Sequence, residues 1–336
     1  MNTIAFFNNK GGVGKTTLLY HVAWMLSELG VRVVVLDLDP QSNVTSMFLS
    51  EDRLDELWEG PASGHSIVSA VAPLLEEGTG DVQPPHLEIV AKRLALVPGD
   101  LGLARLEDEL SSQWPNCLAG KAKAFRITSA FHRVIRLAAS EFKADVALLD
   151  VGPNLGAINR SAIIAANHVL VPLVPDLFSL QGLQNLGPTL QDWRKGWSKR
   201  LEEAPPGLED LPQGKMQPVG YVVLQHAVKM SRPVKAYLRW AQRIPSEYRR
   251  AMQLTPVSEV TLPENDPHCL AQLKHYRSLM PLAMEAGKPI FHLTPRDGAI
   301  GAHVQAVADC GEDFRRLSLR LAEATDIHIP TGQSTS

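Results

Sequence analysis

The sequence predicts an α/β fold: a mostly parallel twisted sheet with helices on both faces. Three observations predict it. Short, wholly apolar runs alternate with helix-length amphipathic segments. A glycine-rich stretch lies where the first such run meets the first helix. Two later runs end in carboxylates. Strands that are apolar at every position are buried on both faces, as in parallel sheets covered by helices. Ligands of such sheets collect at the carboxyl ends of the strands.

In chain order, Ile4–Phe7 reads as the first strand and Leu18–Leu26 as part of the first helix, which Gly30 is placed to end. Arg32–Asp37 is a β-branched second strand. Residues 51–85 mix Gly, Pro and acidic residues and read as an insertion with a short helix. Leu94–Gly99 is a strand ending in a turn, and Leu101–Leu110 a helix. Phe125–Phe142 reads as one long amphipathic helix. Asp145–Asp150, His168–Val174 and Val219–Leu224 are further strands. Ala204–Pro218 is a Pro-rich loop, Ala299–Ala324 the last long helix, and 329–336 a loose polar tail. The expected organisation is one domain over 1–328, with insertions near 51–85, 195–217 and 265–277.

Composition narrows the class. With 45% apolar residues the chain can bury a large core, and a net charge of −3 excludes a polycation. Any nucleic-acid contact must come from a local patch. Cys117, Cys269 and Cys310 have no metal-like spacing and suit a reduced, cytoplasmic protein. No apolar run reaches the ~18 residues of a membrane span. The N-terminal apolar run is a short strand leading straight into the glycine loop, not a signal-peptide pattern.

That loop is Asn8-Asn9-Lys10-Gly11-Gly12-Val13-Gly14-Lys15-Thr16-Thr17. Between a strand and a helix, its backbone N–H groups, the helix N-terminus and a lysine together form a phosphate cradle. Gly14-Lys15-Thr16 fits the end of the general pattern, but Asn9 stands where its first glycine belongs, and Lys10 follows. Lys15 is expected at the β- and γ-phosphates, the Thr16 hydroxyl on Mg²⁺, and Thr17 at the α-phosphate. For Lys10 the chemistry leaves two readings: a solvated loop lysine, or a cation reaching a nucleotide held by a facing subunit. Asp37 and Asp39 end the second strand on one face, and Asp150, before Val151-Gly152-Pro153, ends a buried strand in the position that commonly holds Mg²⁺.

Lys10–Thr17 resembles the deviant Walker A motif of the ParA/MinD family of P-loop ATPases, which includes Soj-type partition proteins. The resemblance implies ATP as the nucleotide and a sandwich homodimer in which Lys10 contacts the nucleotide across the interface. Asp37-Leu38-Asp39-Pro40-Gln41 is similar to the family's switch I. By that match Asp39 orients and polarises the attacking water beside Mg²⁺, Asp37 supports it, and Gln41, Ser42 and Asn43 form a mobile loop. Asp150–Pro153 is similar to Walker B and switch II, with Gly152 offering its N–H to the γ-phosphate. The family often has Asp-x-Pro there, so the glycine is a departure. Positions matching the family's base-binding wall are Gln225 and Pro263-Glu264-Asn265, blurred by an insertion near His268–Arg277.

Between 229 and 250 stand Lys229, Arg232, Lys235, Arg239, Arg243, Arg249 and Arg250 against Glu247 alone. Steps of three, four and four put Arg232, Lys235, Arg239 and Arg243 on one helix face, with Val234, Leu238 and Ala241 turned toward a core. Such a stripe suits phosphate-backbone contact without base reading. The resemblance adds that partition-type members bind DNA nonspecifically as ATP dimers, and that a small ParB-like adaptor stimulates slow hydrolysis on the nucleoid. MinD-type members instead carry a C-terminal membrane helix. Here Phe314–Ala324 leads into Ile329-Pro330 and a polar tail and reads as a closing helix, so membrane association is not expected. The loop begins at residue 10, leaving no room for a preceding helix-turn-helix. The expected function is ATP-driven partition or positioning of a plasmid, chromosome or protein cargo. The alternatives are a regulatory or defence switch with little turnover, or a MinD-like positioning ATPase.

Overall fold

A computed structural model describes residues 1–60, 64–76, 80–224, 234–255, 262–276 and 278–330, with backbone alone at 75–76 and 234–237. Eight strands make one sheet: β1 (Asn2–Phe6), β2 (Val33–Leu38), β3 (Glu88–Ala91), β4 (Leu94–Val97), β5 (Val146–Val151), β6 (His168–Leu173), β7 (Gln217–Leu224) and β8 (Cys269–Leu273). Their order is β3-β4-β2-β5-β1-β6-β7-β8. β3 runs antiparallel to β4, and every other pairing is parallel.

The register decides where chemistry can occur. β1 lies between β5 and β6, so the chain winds outward on both sides of it. Phe6 pairs with Asp150, and Asp37 pairs with the same residue from the other side. The loop leaving β1 and two strand-end carboxylates therefore share one edge, where the strand order reverses.

Strand alternation builds two cores. Ile4, Phe6, Val33 and Val35 pack with the helices Lys15–Glu28 and Ala302–Ala324 on one face. Phe7, Val34, Leu36 and Leu149 pack on the other, under Ala130–Phe142, Ala157–Ile164 and the long helix Leu177–Glu202. The last helix thus closes the domain face against the P-loop helix. Ile329 packs on that core, and residues 331–336 lie outside the described set. Among the described residues no helix is long and apolar enough to cross a membrane.

Several boundaries differ from the sequence reading. Phe125–Phe142 is two helices, Ala122–Thr128 and Ala130–Phe142, broken at Ser129. The Ser129 hydroxyl and N–H both donate to the Phe125 carbonyl, at 2.6 and 2.9 Å. The stretch 51–85 holds two helices, Glu51–Trp58 and Ile67–Glu76, and residues 195–202 are the end of the helix Leu177–Glu202. The stretch near 265–277 supplies an edge strand, β8.

The basic segment is also rearranged. Its helix is Val234–Ala241. Arg243 lies beyond its end and precedes a second helix, Ile244–Ala251, so the four-residue stripe on one helix is not formed. Leu238 is exposed rather than core-facing, and Ala241 is buried. Arg249 points inward and pairs with the buried Asp266, while Arg243 and Arg250 share Glu247. Lys229 and Arg232 lie outside the described residues, as does the Lys235 side chain.

The helix Ile244–Ala251 crosses Leu177–Glu202 at Gly187, where an added Cβ would stand 2.1 Å from the Ala251 carbonyl oxygen. Gly187→Ala must separate the two helices. A loss of about 1–3 kcal/mol in denaturant unfolding is expected, the ordinary cost of overpacking.

Candidate nucleotide site

The loop after β1 opens onto a cleft of about 1370 Å³ lined by Lys10–Thr17, with Asp39, Gln41 and Pro153 from the neighbouring strand ends. Its far walls are Ser46–Leu54 and Met280–Lys288. Gly12 and Gly14 have φ of +71° and +85°, a left-handed backbone that side chains disfavour. These two glycines let the loop coil back so that its N–H groups face one point. Gly14 is then the N-cap of Lys15–Glu28, without a side-chain cap, so the first N–H groups of this helix remain available to an anion.

Asp150 is the hub of the site. It is fully buried. The Lys15 ammonium donates to its Oδ1 at 3.2 Å and the Thr16 hydroxyl to its Oδ2 at 2.8 Å. Burial pushes its carboxyl above the usual range, and the Lys15 charge opposes that shift. Asp37, also fully buried, accepts from the Thr45 N–H at 3.0 Å and the Thr45 hydroxyl at 2.6 Å. Burial, then the Asp150 charge, push its carboxyl up to about 7. Thr45 in turn accepts from the Gly99 N–H at 2.8 Å. Asp37 therefore anchors the helix Asn43–Phe48, which follows Asp39, to the end of β4. Asp39 accepts the Gln41 N–H at 3.0 Å through Oδ1, and a Cβ on Gly152 would stand 3.5 Å from that atom.

Lys10 lies at the mouth. Its ammonium pairs with Asp176, the N-cap of Leu177–Glu202, and stands 5.9 Å over the exposed Phe178 ring. Burial would raise the Asp176 carboxyl, but its bonds from Lys10 and the Ser179 N–H outweigh that and leave it below the usual value.

The remaining expected residues lie elsewhere. Pro263 is buried in a short 3-10 turn and does not line the cleft, and Gln225 lies outside the described residues. Asp150 does not cap the helix Ala157–Ile164. The Glu107 carboxylate does, accepting from the Ala157 and Ile158 N–H groups at 2.5 and 2.9 Å. Sequence reading also missed His21. Its Nδ1 lies 2.8 Å from the Thr17 carbonyl and its Nε2 accepts the Ile290 N–H at 3.1 Å, which places the proton on Nδ1. Burial pushes its pKa down to about 4, so this neutral imidazole ties the first turn after the loop to the chain at 290. A lone apolar-flanked histidine carries no motif; its position four residues after Thr17 on one helix face was the available signal.

Residues 1–203 match the family profile described as an AAA domain. That match covers more than half of the chain and includes the loop and both carboxylate strands. The chain belongs to the ParA/MinD family of P-loop ATPases. Among relatives, this ParA/MinD chain is 33% identical over 200 residues to the chromosome-partitioning ATPase Soj of Thermus thermophilus, covering 59% of this chain and 65% of Soj. It is 32% identical over 199 residues to protein IncC of Escherichia coli, covering 58% of this chain and 47% of IncC. It therefore spans about half to two thirds of the length of these relatives. In fold it is similar to protein DIP2308 of Corynebacterium diphtheriae, with a TM-score of 0.70, 22% identity and coverage of 97% and 99% of the two chains. It is also similar to the ATP complex of a Cyanothece McdA variant, with a TM-score of 0.61, 15% identity and 99% coverage of each.

The buried carboxylates make one pH prediction for the ParA/MinD chain without nucleotide. A folded-state pKa raised from 3.8 to about 7 means that the Asp37 proton stabilises the fold fully below the lower value. That contribution is lost as pH rises through the higher one. Thermal unfolding followed from pH 5 to 8 should show the wild type losing stability relative to Asp37→Asn, whose amide oxygen still accepts from Thr45.

Proposed function

We propose that this protein is a Mg²⁺-dependent ATPase whose ATP-bound form is a sandwich dimer on DNA, and that hydrolysis releases it. The observation that carries the reading is the convergence of Lys15 and Thr16 on buried Asp150 beside a loop that presents N–H groups to an open cleft. The donor set suits a hard divalent cation. The Asp150 carboxylate and the Thr16 hydroxyl, 2.8 Å apart, offer hard oxygen donors of the kind Mg²⁺ takes beside phosphate oxygens. The Thr16 hydroxyl and Asp150 would hold the ion together with phosphate oxygens, and Asp39 stands on the same side. Bound there, Mg²⁺ neutralises charge developing on the phosphates.

The protein's own part in turnover is positioning. Lys15 exchanges Asp150 for the β- and γ-phosphates, and the helix N-terminus takes the remaining charge. Asp39 directs one oxygen to Gln41, and we assign the other to the attacking water. A carboxylate of low basicity orients this water more than it deprotonates it. Lys10 leaves Asp176 to reach a nucleotide held by the second subunit. Relatives are named for chromosome partitioning and cell division, which supports DNA or a protein assembly as the setting, while a ParB-like adaptor as the stimulator rests on the family resemblance alone. For DNA, Arg239 and Arg243 flank Trp240 at 5.2 and 5.3 Å and make a cationic edge. The packing of the last helix on the P-loop helix favours this over a membrane-associated reading.

Turnover measured with and without Mg²⁺, ATP, GTP and duplex DNA tests the reading. ATP hydrolysis that needs Mg²⁺ and rises with DNA and an adaptor is expected; binding without turnover under all conditions would instead mean a nucleotide-dependent switch. Asp39→Ala should lower turnover on the order of 10²-fold while light scattering still shows an ATP dimer. Loss of the dimer would remove the role given to Asp39. Lys10→Ala should keep nucleotide binding in the monomer and weaken the dimer. Charge reversal at Lys235 and Arg239 should abolish DNA binding with nucleotide affinity unchanged; unchanged DNA affinity would exclude this segment.

A further inference from the structure

The turn that carries Gly152 is held by a side chain that belongs to none of the motifs above. β5 ends at Val151, and residues 152–156 lead into the helix Ala157–Ile164. Asn159, in the first turn of that helix, is 1% exposed and folds back over the turn. Its amide nitrogen donates to the Gly152 carbonyl at 2.8 Å, the Asn154 carbonyl at 2.7 Å and the Asn154 side-chain oxygen at 3.1 Å. Three oxygens around one end of the amide fix its orientation, because the carbonyl end would face them without a proton to share. Asn154 in turn accepts the Gly156 N–H at 2.9 Å. From outside, the Glu107 carboxylate caps the same helix at Ala157 and Ile158.

The turn is therefore clamped at both ends, two residues after Asp150. Gly152 is where the clamp meets the chemistry. A Cβ placed on it would stand 3.5 Å from Asp39 Oδ1 and 3.7 Å from the Asn159 amide nitrogen, so both border the space beside its Cα. Pinning the Gly152 carbonyl fixes the plane of the peptide to Pro153, and with it the direction of the backbone that faces Asp39.

We propose that Asn159 is a positioning residue for hydrolysis: it sets the Gly152–Gly156 turn against Asp39 so that the water held there meets a fixed backbone. The proposal rests on the ATPase reading. Asn159 is buried and does not line the cleft, so its removal should act on turnover and not on nucleotide affinity.

The test compares wild type, Asn159→Ala, Asn159→Ser and Asn159→Asp in the full chain. Readouts are kcat, affinity for a non-hydrolysable ATP analogue, and hydrogen exchange over residues 151–158. For Asn159→Ala we expect kcat to fall about tenfold or more with analogue affinity within about threefold of wild type, and faster exchange in that segment. Asn159→Ser keeps one donor and should fall between, which serves if the alanine variant folds poorly. Asn159→Asp puts a carboxylate against three oxygens; its activity should recover toward the wild-type value as pH falls and the carboxyl gains a proton to donate, a response that wild type lacks. Unchanged kcat and unchanged exchange in a folded Asn159→Ala or Asn159→Ser protein would overturn the proposal, as would parallel losses of kcat and analogue affinity. A wild-type protein without turnover would instead overturn the ATPase reading, and the exchange measurement would still decide whether Asn159 orders the turn.

Discussion

The contact between Lys15, Thr16 and the buried carboxylate of Asp150 is the constraint on which the rest of the site depends. A carboxylate at the end of a central strand, with no exposure to water, is costly unless it is paired. Lys15 supplies the charge and Thr16 a hydrogen bond, and both come from the first turn of the helix that the glycine loop starts. The same pair holds the loop closed against the sheet edge. On the proposed function a nucleotide would draw Lys15 away from Asp150, and the carboxylate so uncovered would favour a cation, which would link phosphate and Mg²⁺ binding through electrostatics.

Around that corner the protein uses buried polar groups for rigidity. Asp37 fastens Asn43–Phe48 to β4 through Thr45 and Gly99. Asn159 and Glu107 fasten the turn after β5. His21 fastens the helix after the loop to residue 290. Each element that would touch the γ-phosphate or its water is tied to a different part of the fold, which suits catalysis by placement. Lys10 is the exception. It sits at the rim, held by one partly exposed partner, and a single ion pair of that kind is weak enough to exchange for a phosphate.

The sheet and the phosphate loop were legible because they depend on local pattern. Val33–Leu38 and Val146–Val151 are apolar apart from Asp37 and Asp150 near their ends, and Gly14-Lys15-Thr16 lies where a strand gives way to a helix. The sequence placed Asp37 and Asp150 each at a strand end, and only the sheet register pairs them. What was not legible depends on contacts distant in sequence. Glu107 caps a helix 50 residues away, and Arg249 turns inward because Asp266 is there, although the sequence shows it only as one more cation of a basic segment. The basic stripe failed for a related reason. Helical spacing was extended through Gln242 and Arg243, where the chain turns and Pro245 begins a new helix. The edge strand β8 was read as part of an insertion although every residue but Gln272 is apolar, and its register with β7 places it in the sheet.

The exchange of Asp150 for nucleotide and cation can be measured directly through the Mg²⁺ dependence of ATP-analogue affinity in wild type and Asp150→Asn. In wild type, Mg²⁺ should tighten binding by about tenfold or more, because it relieves the charge that Lys15 leaves behind. Asp150→Asn should bind the Mg²⁺-free analogue at least as tightly as wild type, since Lys15 is no longer held, and should gain little from Mg²⁺. An equal gain from Mg²⁺ in both proteins would contradict the central role of Asp150.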